Sequence, residues 1–299
     1  MTTERNTSWY GLFHLSVVYV VWGGTYLAIR YAVRDGSGFP PFIMAGSRFL
    51  VGSIILLVIA SLRHQSLRLS RRDAGLLIVS SILLLNGGNG LVSWAEQRAH
   101  SGYAALVVGT TPIWTALVEA LVDRRRPTTR LIVSLLIGFA GLTVLTLPVL
   151  KVGGKSDVLA TLALVVAPLS WSVGAVIQQR NPVKLQPLAS SAYQQLFCVA
   201  GFTLMALAHG ESMPNPTAEA WAAWGYLVVF GSVLAFTSFV LALQLLPIPL
   251  VMTYAYVNPV IAVYLGWLLL GEPVTRDTFV GTFMILTGVW GVFREKFKR

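Results

Sequence analysis

Ten apolar stretches, each about as long as a bilayer core is thick, run through the chain at residues 9–32, 39–62, 73–94, 101–122, 129–149, 157–179, 187–209, 218–244, 249–270 and 278–293. A helix needs about 20 mostly apolar residues to cross hydrocarbon. The connections between the stretches are short, and that leaves no soluble domain. Composition agrees: 55% of the residues are hydrophobic and 11% are charged, where a soluble domain carries about 25% charged residues. The chain therefore reads as an all-α integral membrane protein of ten transmembrane helices. Its first stretch begins after eight residues, lacks a small-residue cleavage pattern and outlasts a signal-peptide core, so it is expected to stay in the mature protein. The one cysteine, Cys198, lies inside the seventh stretch and reads as a packing residue.

The net charge of +10 acquires meaning once the basic residues are sorted by side. Of 22 lysines and arginines, fifteen fall on the side that holds both termini, clustered at Arg68, Arg71 and Arg72, at Arg124, Arg125 and Arg126, and at Arg294, Lys296, Lys298 and Arg299. Six fall on the other side, and Arg48 lies within a stretch. Lysine and arginine concentrate in cytoplasmic loops, so both termini are expected in the cytoplasm. The basic clusters are topology signals and not a nucleic-acid surface.

The sequence also repeats. A shift of 147 lays WAEQRAHSGYAALVVGTTPIWTAL (94–117) on LALQLLPIPLVMTYAYVNPVIAVY (241–264), so that Ala95 meets Ala242, Gln97 meets Gln244 and Pro112 meets Pro259. Upstream, Trp22 of WGGTYLAIR corresponds to Trp171 of WSVGAVIQQR at an offset of 149, and Pro41 to Pro187 at 146. Two five-helix repeats, 1–150 and 151–299, follow. Five is odd, so the second copy enters the membrane in the opposite direction. Inverted repeats of this kind recur in secondary transporters, with a substrate site near the midplane and alternating access by rocking of the halves.

The Trp-Gly pair of the first stretch, Arg48-Phe49 in the second, the central prolines of the fourth and ninth, LLLGEPVT at 268–275 and the Gly-rich last stretch resemble the drug/metabolite transporter superfamily, in its EamA-type branch. Within that branch the pattern is similar to the YddG-type exporters, which the family associates with aromatic and other amino acids and with methyl viologen. The resemblance implies a ten-helix inner-membrane exporter whose cavity is formed by helices one to four and six to nine, with five and ten peripheral. The first copy departs from the family: LVDRRRPTT (121–129) stands where the second copy has Gly271-Glu272. No acidic role is therefore assigned to that loop.

Polar and aromatic residues inside the apolar stretches are the candidates for the site. NGGNG (86–90) lacks the lysine and the preceding strand that a phosphate loop requires. Its glycines read as helix contact points. Asn86 and Asn89, three apart and so on one helical face, read equally as cavity lining or as bonds to a neighbouring helix. Pro112 and Pro259 each lack the amide hydrogen of a helical bond. They predict kinks that bring Thr110, Thr111 and Trp114, and Tyr254, Tyr256 and Asn258, to freed carbonyls. Trp22, Tyr26 and Trp171 form an aromatic set at mid-depth that suits stacking against an aromatic or cationic ligand as well as packing. Arg48 is an intramembrane charge, able to hold a carboxylate or to serve structurally. Glu96, with Arg98, reads as an interfacial pair, and Gln97 with Gln244 as a pseudo-symmetric pair near opposite mouths of a cavity.

Catalysis has little support. The four histidines are scattered without metal-ligand spacing, and no nucleophile elbow or nucleotide motif is present, so no cofactor or metal is expected. The reading is a secondary transporter exporting small amphipathic metabolites, chiefly amino acids including aromatic ones. Proton coupling stays open. The alternatives are an exporter of cationic drugs such as methyl viologen or an uncoupled facilitator and, outside transport, a membrane enzyme or a channel.

Overall fold

A computed structural model describes residues 9–34, 36–97, 101–152, 158–270 and 275–297, except for the side chains at 26, 101–103, 148–152, 266, 269, 270, 296 and 297. Every regular element in this set is helical. We number the long helices α1 (Trp9–Val33), α2 (Pro41–Leu62), α3 (Arg71–Ala95), α4 (Ala104–Asp123), α5 (Thr129–Val152), α6 (Val158–Arg180), α7 (Pro187–His209), α8 (Ala218–Leu245), α9 (Ile248–Leu265, continuing helical to 270) and α10 (Arg276–Phe297). Among the described residues nine of these, α1 to α9, are long and apolar enough to cross a membrane. α10 is 22 residues long, and its charged ends Arg276-Asp277 and Arg294-Glu295 leave residues 278–293 as its uncharged stretch.

The packing is unchanged in pattern when the two halves are exchanged. α2 lies against α7 and α5 against α10, while α1 contacts α8 and α9 as α6 contacts α3 and α4. The equivalent helices run antiparallel. Along α5 and α10, a Cβ added at Gly288 would stand 2.6 Å from the backbone nitrogen of Gly138, and one at Gly281 would stand 2.7 Å from that of Leu145. Numbers rise on one helix as they fall on the other. Glycines thus let two backbones meet, which is how helices gain contact in lipid without a hydrophobic force between them. Both α2 and α7 begin with a proline in the first turn, Pro41 and Pro187, where its missing N–H costs nothing. The carboxylate of Glu211, just beyond α7, accepts from the amides of Phe42 (2.9 Å) and Ile43 (2.8 Å) and caps α2.

Two departures from ideal helices shape the middle of the molecule. The first is a pair of π segments, Ile82–Gly90 in α3 and Leu227–Ala235 in α8, at corresponding places in the two halves. A π turn bonds i to i+5 and disturbs the regular ladder, and side chains from neighbouring helices reach the carbonyls there. Ser170 Oγ donates to Leu83 O (2.8 Å), Trp22 Nε1 to Gly231 O (3.3 Å) and Gln195 Nε2 to Ser232 O (2.9 Å). The glycines of NGGNG make close contacts: a Cβ at Gly88 would lie 2.6 Å from Trp171 Cε3 and one at Gly90 2.9 Å from Phe202 Cε1.

The second departure corrects the expectation of a proline kink at Pro112. α4 is broken, not kinked: Ser101–Val108 ends before Thr111–Asp123 begins, so Pro112 lies in a first turn where no donor is needed. In α9 the break falls between Ile248–Val251 and Tyr254–Leu270, and Pro259 sits inside the second, continuous piece. Threonines beside the breaks rebond the local carbonyls: Thr111 Oγ1 donates to Val108 O (2.5 Å) and Thr253 Oγ1 to Leu250 O (2.6 Å).

Candidate functional site

The π segments and the helix breaks surround one cavity, with about 90 Å³ of space open to water. α1 contributes Trp22, Thr25 and Ile29; α2 Arg48 and Phe49; and α3 Leu85, Gly88, Asn89 and Val92. α4 adds Val108 and Thr111, α6 Ala167, Pro168 and Trp171, α8 Gly231 and Phe236, and α9 Tyr254 and Asn258. α7 stands behind this wall. In α1 to α4 the lining comes from the halves nearest the α1–α2 and α3–α4 connections. Towards the other end the interior is packed solid by Leu15, Val18, Val176, Phe239, Leu243 and Met252. Tyr19 and Thr253 share a hydroxyl bond of 2.5 Å there. The cavity thus lies towards one face and is sealed from the other.

Its floor is aromatic. Trp22 meets Trp171 edge to face with centroids 5.6 Å apart, Tyr254 at 5.0 Å and Phe239 at 5.2 Å. Offset and edge-to-face contacts are the favourable arrangements for such rings. The indoles hold one another in place, and each still presents part of its surface to the cavity. Gly88 lies directly against the Trp171 ring, so a side chain there would displace it.

Charge enters at Arg48. It is 3% exposed, its Nη2 donates to Asn89 Oδ1 at 2.6 Å, and its guanidinium carbon lies 4.4 Å from the Phe49 ring centroid. Its Nε has no hydrogen-bond partner. Among the described residues no carboxylate comes within ion-pair distance of it, and none lines the cavity. A desolvated cation with a neutral amide as its only hydrogen-bond partner is costly. It places a guanidinium without an ion-pair partner on the cavity wall. Nearby amides and hydroxyls supply further polarity: Asn258, with its amide turned to suit its surroundings, donates to Tyr19 O (3.2 Å) and Tyr254 O (3.0 Å).

Of the residues singled out in the sequence, the fold gathers Trp22, Arg48, Asn89, Thr111, Trp171, Tyr254 and Asn258 around this cavity. Others go elsewhere. Asn86 turns away to donate to Cys198 O of α7 (3.0 Å): in a π segment residues three apart no longer share a face, so the two asparagines take different roles. Tyr256 is fully buried and donates to Leu135 O of α5 (2.9 Å). Trp114, Pro112 and Pro259 lie outside the lining, and Gln97 and Gln244 are exposed. Glu96 is buried at the end of α3. Apart from these, Glu119 of α4 accepts from Arg180 Nη2 (3.4 Å), which also bonds Asp123 Oδ2 (2.6 Å). The Tyr26 side chain, Arg98 and Gly271-Glu272 lie outside the described residues. Sequence reasoning passed over Pro168, whose position inside a long apolar stretch was a readable signal, and over Thr25 and Phe236, which look like ordinary membrane residues.

An all-helical membrane protein of two related halves, with an aromatic and cationic cavity between them, has the form of a solute carrier. The sequence profile of the EamA-like transporter family matches twice, at residues 9–147 and 158–294. The chain is 33% identical over 283 residues to the Escherichia coli K12 protein named "Uncharacterized inner membrane transporter YedA", covering 92% of this chain and 88% of that one. It is 23% identical to "Uncharacterized transporter YoaV" of Bacillus subtilis, covering 91% and 93%. One crystal structure matches with a TM-score of 0.78 at 20% identity, over 96% of this chain and 98% of that one, a likeness of fold alone. The chain belongs to the EamA-like transporter family and is a multi-pass inner-membrane transporter.

Proposed function

We propose that this transporter exports small amphipathic metabolites that carry a carboxylate, chiefly amino acids including aromatic ones, by alternating access. α10 completes a set of ten spans, repeats 1–150 and 151–299 are inverted, and both termini are cytoplasmic. The cavity then faces outward and is closed to the cytoplasm.

The observation that carries the substrate reading is the placement of an unpaired guanidinium, Arg48, in the same small cavity as Trp22, Trp171 and Tyr254. The rings offer an apolar, stackable floor, and Arg48 offers a charge-assisted seat for a carboxylate. A cationic drug would find the aromatic faces and meet Arg48 as a like charge, so the same wall disfavours the methyl viologen reading.

Ligand-induced shifts in melting temperature of the purified protein test this. L-Tryptophan and indole-3-propionate raise the melting temperature, and tryptamine, which keeps the indole and loses the carboxylate, does not. Stabilisation by tryptamine and methyl viologen with none by the carboxylates would overturn the assignment.

A further inference from the structure

At the closed end of the cavity one side chain of α6 bonds the end of α8. Gln179 Nε2 donates to Leu243 O (3.0 Å) and Leu246 O (2.9 Å), at the end of α8. These carbonyls belong to a helix terminus that lacks intrahelical partners for them, and bonding both clamps α6 onto α8. The internal repeat assigns mates to this clamp. The register that lays Trp22 on Trp171 lays Arg30 on Gln179, and the register that lays Gln97 on Gln244 lays Glu96 on Leu243. At the open end, the clamp's two places are therefore held by an arginine and a glutamate.

Their present state is unlike that of the clamp. Glu96 is 8% exposed, and neither of its carboxylate oxygens has a hydrogen-bond partner. Arg30 is exposed in the last turn of α1. Among the described residues no ion pair joins Arg30 to Glu96. A buried carboxylate left unbonded costs free energy that a partner recovers.

We infer that Arg30 and Glu96 are the outer gate of the transport cycle, an ion pair that closes α1 onto the end of α3 when Gln179 releases α8. Two halves of related sequence hold different conformations, one clamped and one open. Exchanging those conformations moves the opening to the opposite face. The outer clamp is ionic where the inner one is an amide, because Leu243 offers only its carbonyl while its mate Glu96 offers a carboxylate.

This inference rests on the carrier reading, and its test separates the two. Exchange of labelled L-tryptophan is measured in proteoliposomes for R30Q, E96Q and R30Q/E96Q. Because truncating one partner of a desolvated pair costs most of its value, each single change slows exchange about tenfold. For coupled partners the losses do not multiply, so the double variant is also slowed about tenfold. A double variant slowed about hundredfold, or single variants that exchange like the unsubstituted protein, would overturn the gate. A second readout needs no transport: in a C198A background, R30C/E96C is joined intramolecularly by a short reducible bis-methanethiosulfonate cross-linker, seen on a gel, because an Arg–Glu pair spans more than a direct disulfide can. Where exchange is measurable, it stops on cross-linking and returns on reduction. A monodisperse R30C/E96C protein that is labelled at both thiols and never cross-linked also overturns it. Absence of exchange in the unsubstituted protein counts against the carrier reading, while the cross-link still decides the gate.

Discussion

Arg48 is the residue on which substrate chemistry turns. Its charge is buried, its hydrogen-bonded partner is the neutral Asn89, and among the described residues its Nε has no acceptor. A charge-assisted hydrogen bond is worth about 1.5–3 kcal/mol, so R48Q is expected to weaken binding of carboxylate solutes about tenfold to a hundredfold, as read by titration calorimetry. R48K, which keeps the charge and loses the planar fork, falls between. Trp171 makes a separate prediction: W171F keeps an aromatic floor and loses little, whereas W171A opens the floor and abolishes preference for aromatic over aliphatic amino acids in competition assays. Equal binding by W171F and W171A would show that the ring only packs. Arg48 was legible in the sequence because a charge inside an apolar stretch has few explanations. Tyr256 was not, and for Asn86 the sequence left cavity lining and a bond to a neighbouring helix equally open. Each is polar at mid-depth, as a ligand residue would be, and each spends its hydrogen bond on a backbone carbonyl of another helix.

At the scale of elements, the apolar lengths, the repeat and the contact glycines could all be read from the sequence, since hydrocarbon thickness and close backbone approach constrain residue types directly. The π segments and the helix breaks could not. The π segments arise where tertiary partners such as Ser170, Gln195 and Trp22 reach the carbonyls, and those partners lie far away in sequence. The break in α4 falls beside Pro112, whereas α9 is continuous at Pro259 and breaks upstream of it. The α5–α10 pairing yields a stability prediction. A side chain at Gly288 has backbone in its way, and overpacking costs about 1–3 kcal/mol or more, so G288V lowers the melting temperature or prevents a monodisperse preparation. Nothing lies within 4 Å of a Cβ placed at Gly75, so G75A serves as the control and melts like the unsubstituted protein.

The whole molecule is a cavity sealed at one end, between halves whose equivalent helices run antiparallel. With basic residues concentrated on the side of the termini, a fluorescent reporter that folds only in the cytoplasm is expected to fluoresce when fused after Arg299. A dark fusion at normal expression would reverse the orientation and with it the face to which the cavity opens. Counterflow shows whether the cavity carries solute by alternating between faces. Proteoliposomes loaded with unlabelled L-tryptophan are diluted into trace labelled L-tryptophan. A carrier gives a transient, saturable accumulation of label above equilibrium that vanishes without internal substrate and is strongly reduced in R48Q. Uptake that rises linearly with concentration and ignores the internal load would mean that the cavity does not alternate between faces.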